Sequence, residues 1–185
     1  MKKQIDKLFE SESLENMEAQ ANTFDRISNA EPEKWEPCYY AAYCYIMQAF
    51  TNKDAQKTDA LVDQAEKLIE KGLSLNAKND ELICLSSMAQ SARIGVDPQT
   101  RGMKYGPKAT ELLNTAKSIN PNNPRIYLLL GQNLLYTPEM WGGGKQKAKA
   151  QLDIAKEKFS TFKPLSIISP SWGNEYCDML ISNTK

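Results

Sequence analysis

The chain has 185 residues, enough for one sizeable hydrophobic core or a short array of repeats. Lys and Arg together number 23, as do Asp and Glu, and the resulting net charge of zero argues against nucleic acid or an anionic membrane as a partner. The sequence contains no histidine, which argues against a histidine-dependent catalytic triad, a zinc hydrolase of the usual kind and a ligated haem. No catalytic residue, metal site or cofactor is therefore predicted.

The first residues predict a short amino-terminal helix, because Ile5, Leu8 and Phe9 recur at helical spacing. No apolar stretch follows the basic start, and no run approaches the ~18 apolar residues that a membrane helix needs. As the sequence stands, a cytoplasmic protein is expected. A secreted or periplasmic protein is the alternative, since removal of a signal peptide would leave the same sequence.

Three later stretches share one pattern, in which an alanine is followed by an aliphatic residue four positions on and a small residue three further on. The three sets are Ala65, Ile69 and Gly72; Ala109, Leu113 and Ala116; and Ala148, Leu152 and Ala155, with a weaker copy at Gln20, Phe24 and Ile27. Offsets of four and seven put these side chains on one face of a helix. We expect these faces to be contacts at which neighbouring helices approach closely.

A further set of helices is predicted after turn signals at Pro32, Ala77 and Pro121. These helices cover residues 35–50, 80–93 and 124–136, and they carry a small residue at one shared offset, Ala42, Ser87 and Gly131. The four cysteines, Cys38, Cys44, Cys84 and Cys177, show no CxxC spacing. Three of them lie in apolar helical runs, so reduced, structural thiols are expected.

These paired helices resemble the tetratricopeptide repeat, most closely at PNNPRIYLLLGQNLLY and ATELLNTAKSINP. The resemblance implies an all-α fold, a right-handed α-solenoid of about three helical hairpins with extended loops within the repeats. It implies a single domain, residues 1–185, with repeats at roughly 14–76, 79–120 and 122–160. Residues 165–185 are expected to form a capping segment with a short helix, as repeat arrays need.

The same resemblance implies a concave surface built from the first helix of each repeat. Its predicted peptide-binding residues are Glu36, Tyr39, Tyr43, Met47, Glu81, Met88, Arg125, Gln132 and Tyr136. Tyr and Met side chains offer adaptable contact area for a peptide. At helical spacing they are equally typical of a hydrophobic core, so both interpretations stay open.

The connectors TNKDAQ, RIGVDPQTRGMKYGP and TPEMWGGG are longer than this family's unit requires and are expected to project from one edge, with a helix starting at about Pro107. The run of three glycines departs from the P-loop pattern, because Glu139 and Gln146 replace its first glycine and its hydroxyl residue. Two interpretations remain: loops that only pack, or an edge that accepts an anion at a helix start. The residues predicted for that edge are Arg101, Lys104, Tyr105, Trp141, Gly142, Gly143, Gly144 and Lys145.

The sequence thus predicts a non-catalytic scaffold that binds a protein or peptide of unspecified identity, with no nucleic acid or membrane partner. A rival hypothesis is a binder of a small molecule, such as a phosphorylated ligand or nucleotide, or an enzyme, using the loop Gly142–Gly144. A third is that the chain's own segment from Phe162 onward fills the groove. The sequence leaves the oligomeric state open.

Overall fold

The computed structural model describes residues 1–11 and 13–185; position 12, which the predicted domain includes, lies outside the described residues. Within them the chain forms α-helices and no strand, so the predicted all-α class is confirmed. The helices are α1 (Lys2–Glu10), α2 (Leu14–Ala30), α3 (Glu36–Thr51), α4 (Ala55–Leu75), α5 (Asp80–Gly95), α6 (Pro98–Ile119), α7 (Pro124–Tyr136), α8 (Lys145–Thr161) and α9 (Asn174–Asn183). None of them is long and apolar enough to cross a bilayer.

Helix starts are set by short polar side chains that accept a hydrogen bond from a backbone amide of the first turn. Such caps stand before α2, α4, α5, α6 and α7, at Ser13, Asp54, Asn79, Asp97 and Asn123. Each satisfies an amide that the helix itself leaves unpaired, a contribution of about 1 kcal/mol. The turns that divide the chain into hairpins are therefore local features of the sequence.

The repeated small and bulky residues form contacts between helices. All nine members of the three main sets are buried, as are Gln20 and Phe24 of the weaker copy, whereas Ile27 is half-buried. Helix α3 packs on α4, α5 on α6 and α7 on α8, and α3 and α7 also contact α5. The closest approach is at Gly131, where a Cβ atom would stand 2.6 Å from Cγ of Leu152.

Two of the three predictions of a long connector are wrong, because helices occupy most of those residues. Helix α4 begins at Ala55, which leaves only residues 52–54 as a loop, and α6 begins at Pro98 and continues through Pro107. Pro107 lacks the N–H that would bond the carbonyl of Met103, and Met103 is exposed, so water can satisfy that carbonyl. Only TPEMWGGG remains a long connector, with a 3₁₀ turn over Glu139–Trp141.

The end of the chain carries one short helix, α9, within the predicted capping segment of residues 165–185. Residues 162–173, which we call the C-terminal segment, are not helical, and α9 follows them and packs on α8 through the buried Cys177 and Leu180. All four cysteines are free and buried.

Candidate functional site

An open groove of about 2630 Å³ runs across the molecule. Its walls come from α1, α3, α5, α6, α7, the C-terminal segment and α9, so the groove joins residues from both ends of the chain. Ligand pockets for small molecules usually measure about 300–1,000 Å³. The groove is therefore large enough for an extended or bulky ligand.

Apolar side chains are concentrated in this groove. Of the ten large hydrophobic side chains that are exposed in the described residues, six line it. These six are Phe9, Met103, Tyr136, Trp141, Ile167 and Met179. Contiguous exposed apolar surface is costly in water and commonly marks a binding site.

Five of the nine predicted peptide-binding residues line the groove: Tyr43, Met47, Met88, Gln132 and Tyr136. The ring of Tyr43 lies between two other aromatic rings, with centroids 5.8 Å from Phe9 and 5.4 Å from Trp172. These three rings form one aromatic wall, to which α1, α3 and the C-terminal segment each contribute. Sequence reasoning placed Tyr43 at the groove and missed Phe9 and Trp172, because neither lies on a predicted first helix of a repeat.

The other predicted peptide-binding residues do not line the groove. Glu36 lies at the start of α3, and Tyr39, Glu81 and Arg125 hold the C-terminal segment instead. Arg125 is fully buried and donates from Nε to Oε2 of Glu81 at 2.8 Å and from Nη1 to the carbonyl of Trp172 at 3.1 Å. Burial disfavours its charged form, but the carboxylate of Glu81 raises the pKa of Arg125, so the guanidinium stays charged.

Two tyrosines of α3 also bind the C-terminal segment. The indole Nε1 of Trp172 donates to the hydroxyl of Tyr39 at 2.8 Å, and the hydroxyl of Tyr40 donates to the carbonyl of Ile168 at 3.0 Å. The segment thus contacts the amino-terminal parts of α3 and α7. It covers this part of the inner surface and leaves the groove open beside it.

The predicted anion-accepting edge is not assembled as expected. Arg101 lies within α6, where its guanidinium donates to both carboxylate oxygens of Asp59 at 2.9 Å. Lys145 donates to the carbonyl of Lys185, and the ammonium of Lys104 lies 4.8 Å from the centre of the Tyr105 ring. The cations therefore have separate partners and do not converge on one notch.

The glycine run has a structural role in the loop. Gly142 and Gly144 have positive φ angles of 90° and 111°, and a Cβ atom on Gly143 would stand 2.0 Å from the carbonyl oxygen of Thr137. The amides of Gly143 and Gly144 donate to the carbonyls of Pro138 and Leu134, so neither is available to an anion. Trp141 and Gly142 line the groove.

Metal-binding side chains are not clustered in the described part of the chain. No cluster of three or more His, Cys, Asp or Glu residues with metal-binding geometry occurs in residues 1–11 and 13–185. Burial raises the pKa of Cys177 to about 11 and that of the groove residue Tyr176 to about 12, so both stay protonated at neutral pH.

Comparison with known proteins relates the chain to a solved structure. No family model and no curated protein sequence matches the chain. Among solved structures, the HusA haemophore from Porphyromonas gingivalis is similar with a TM-score of 0.91 and 35% sequence identity, over 100% of this chain and 90% of that chain.

This similarity corrects several predictions made from the sequence. The tetratricopeptide assignment was wrong, because the chain matches a haemophore over its full length. The protein-binding scaffold function and the protein-only partner were wrong for the same reason, and the small-molecule alternative is better supported. The register of small and bulky residues is a packing requirement of closely paired helices in general, and for that reason it did not identify the family.

Proposed function

We propose that this chain, which belongs to the family of the HusA haemophore, binds haem in the apolar groove. The observation that carries the proposal is the concentration of exposed aromatic and Met side chains along one open groove. The protein acts as a binding protein in this proposal, with no catalytic step.

The groove suits a flat, mostly apolar ligand. Phe9 and Trp172 present aromatic surface on either side of the buried Tyr43, and the half-buried Met47 adds a flexible, polarizable side chain beside it. Burial of apolar area contributes about 25 cal/mol per Å², so a large flat ligand gains affinity from contact alone. Haem supplies its own iron as part of the ligand, and the chain's residues supply the surface that holds the macrocycle.

Axial ligation by the usual residue is excluded by composition, since the chain has no histidine. The cysteine thiols are buried, which leaves Tyr and Met side chains such as Tyr136 and Met179 as the haem-ligand types in the groove. We assign most of the affinity to contacts with the faces of the macrocycle, because the exposed side chains of the groove are mainly aromatic and apolar. The sequence-based argument against a ligated haem concerns axial ligation and leaves this mode of binding open.

The phosphorylated-ligand version of the small-molecule hypothesis has less support. Two of the amides in the loop Gly142–Gly144 already bond to carbonyls of the chain, and Arg101 is paired with Asp59. An apolar, aromatic groove also favours a macrocycle over a phosphate. Together with haem binding we propose the secreted or periplasmic localisation rather than the cytoplasmic one.

We further propose that residues 1–185 form one domain, in which the hairpins stack as a right-handed α-solenoid. The sequential packing of α3 on α4, α4 on α5 and α5 on α6, continued through α7 and α8, supports this arrangement. The C-terminal segment and α9 then close the end of the stack. A small-angle scattering curve that fits only two separately moving bodies would contradict the single domain.

The haem proposal is tested by titrating the protein with haem and following the Soret band and tryptophan fluorescence. Met179→Glu places a charge in the groove at a half-exposed position, and Met140→Glu makes the same change at an exposed position outside it. We expect Met179→Glu to weaken binding about 10-fold, which corresponds to about 1.4 kcal/mol, and Met140→Glu to leave it unchanged. Absence of saturable binding by the wild type, or equal effects of the two variants, would refute the proposal.

A further inference from the structure

Trp172 is held in place from three directions. Its Nε1 donates to the hydroxyl of Tyr39 at 2.8 Å, its carbonyl accepts from Arg125 at 3.1 Å, and its ring lies 5.4 Å from that of Tyr43. The next residue, Gly173, has a φ of 113°, and a Cβ atom there would stand 2.8 Å from Phe159. The backbone turn and the three contacts together fix one orientation of the indole.

The two residues that hydrogen-bond to Trp172 do not themselves reach the groove. Tyr39 and Arg125 are fully buried and are absent from its lining, whereas Trp172 is half-buried and lines it. Tyr39 packs against its neighbours at 5.9 Å from Trp35 and 5.2 Å from Tyr40, so its ring is fixed independently of the hydroxyl. The hydrogen bond to Trp172 is therefore made by a rigid acceptor.

Arg125, on α7, contacts the C-terminal segment near both of its ends. Its guanidinium carbon lies 4.6 Å from the centre of the Phe162 ring, at the start of the segment, and 5.8 Å from that of Trp172 near its end. The ion pair with Glu81 fixes the guanidinium plane, because Nε and Nη2 both donate to that carboxylate. The remaining Nη1 is directed at the carbonyl of Trp172.

We infer that Tyr39 and Arg125 are positioning residues, which fix the indole of Trp172 as a wall of the groove. Through that indole they set the affinity of the groove for a flat aromatic ligand, although neither residue touches the ligand. This inference rests on the proposed function for its effect on affinity. The orientation of the indole itself is independent of any ligand.

The test is a double-mutant cycle between Tyr39→Phe and Trp172→Phe, with haem affinity as the readout. Tyr39→Phe keeps the packed ring and removes only the acceptor, which leaves the indole N–H unpaired. We expect affinity for haem to fall about 3- to 10-fold, the range that loss of one such hydrogen bond implies. In the Trp172→Phe background the same change should have no further effect.

A spectroscopic measurement without haem separates positioning from binding. In a chain with Trp35→Phe and Trp141→Phe, Trp172 is the only tryptophan, since the sequence has three. Tyr39→Phe and Arg125→Lys should each shift its emission to longer wavelength, because a freed indole becomes more exposed to water. Arg93→Lys is the control, since Arg93 pairs with Asp59, Asp63 and Glu66 and does not contact the C-terminal segment.

Each outcome decides one part of the inference. Unchanged emission in Tyr39→Phe, or an equal loss of haem affinity with and without Trp172, would overturn the positioning role. If the wild type fails to bind haem but the emission shifts, the proposed function fails and the structural part of the inference stands. A shift in the Arg93→Lys control as large as that in Arg125→Lys would show a general loosening of the fold and would overturn the role of Arg125.

Discussion

Replacing Gly131 by alanine should destabilise the protein, although alanine is the better helix former. A Cβ atom at this position would lie 2.6 Å from Cγ and 2.7 Å from Cδ2 of Leu152, and 3.2 Å from the carbonyl oxygen of Ala148. Leu152 is fully buried and cannot turn away without disturbing the α7–α8 contact. Overpacking of this kind costs up to about 3 kcal/mol, and removal of a helical glycine returns about 1 kcal/mol.

The expected net loss is about 2 kcal/mol, or about 4–8 °C in melting temperature for a chain of this size. Urea unfolding followed by circular dichroism measures it, with an unchanged m-value as the sign that the unfolded state is unaffected. Gly102→Ala is the matched control, because Gly102 lies within α6 and a Cβ atom there meets nothing within 4 Å. The packing argument fails if Gly131→Ala is as stable as the wild type, or if Gly102→Ala loses as much.

Two further predictions concern the ion pairs between α4 and α6. Arg101→Ala should lower the free energy of unfolding by about 1 kcal/mol, because it removes both hydrogen bonds to Asp59. Thermal melts measure this loss. The same variant should leave haem affinity unchanged in a haem titration. The hydrogen bonds from Arg101 and Arg93 lower the pKa of Asp59, so its contribution to stability is present above the unfolded pKa of about 3.9 and is lost as the pH falls through the lower folded value. The stability difference between the wild type and Asp59→Asn should therefore be constant near neutral pH and shrink as the pH falls below about 3.9 in urea titrations. A difference that stays constant at acidic pH would contradict the assignment.

The helices and their contacts could be predicted largely from local sequence. Spacings such as Ala65, Ile69 and Gly72 report one helical face directly, and Gly131 indicated a close helix contact that the structure contains. Pro107 misled the prediction of α6, because a proline is usually read as a helix boundary. Here the carbonyl that it leaves unpaired belongs to an exposed residue, so the helix continues past it.

The groove could be predicted only in part. Tyr43 and Met88 were identified because they lie on helices with clear periodicity. The partner of Tyr39 is Trp172, 133 residues further on, and no local pattern connects the two. Arg125 was expected to contact a bound peptide and instead contacts the chain's own C-terminal segment, since a polar side chain at a helix start gives no indication of which segment will cover it.

The groove draws residues from both the first and the last helix of the chain, through Phe9 at one end and Tyr176 and Met179 at the other. The central hairpins are each closed by a local turn, so they can form before the two ends of the chain have packed. The groove is complete only when α1 and α9 are both in place. Removing either terminal helix would therefore leave the groove with one wall incomplete.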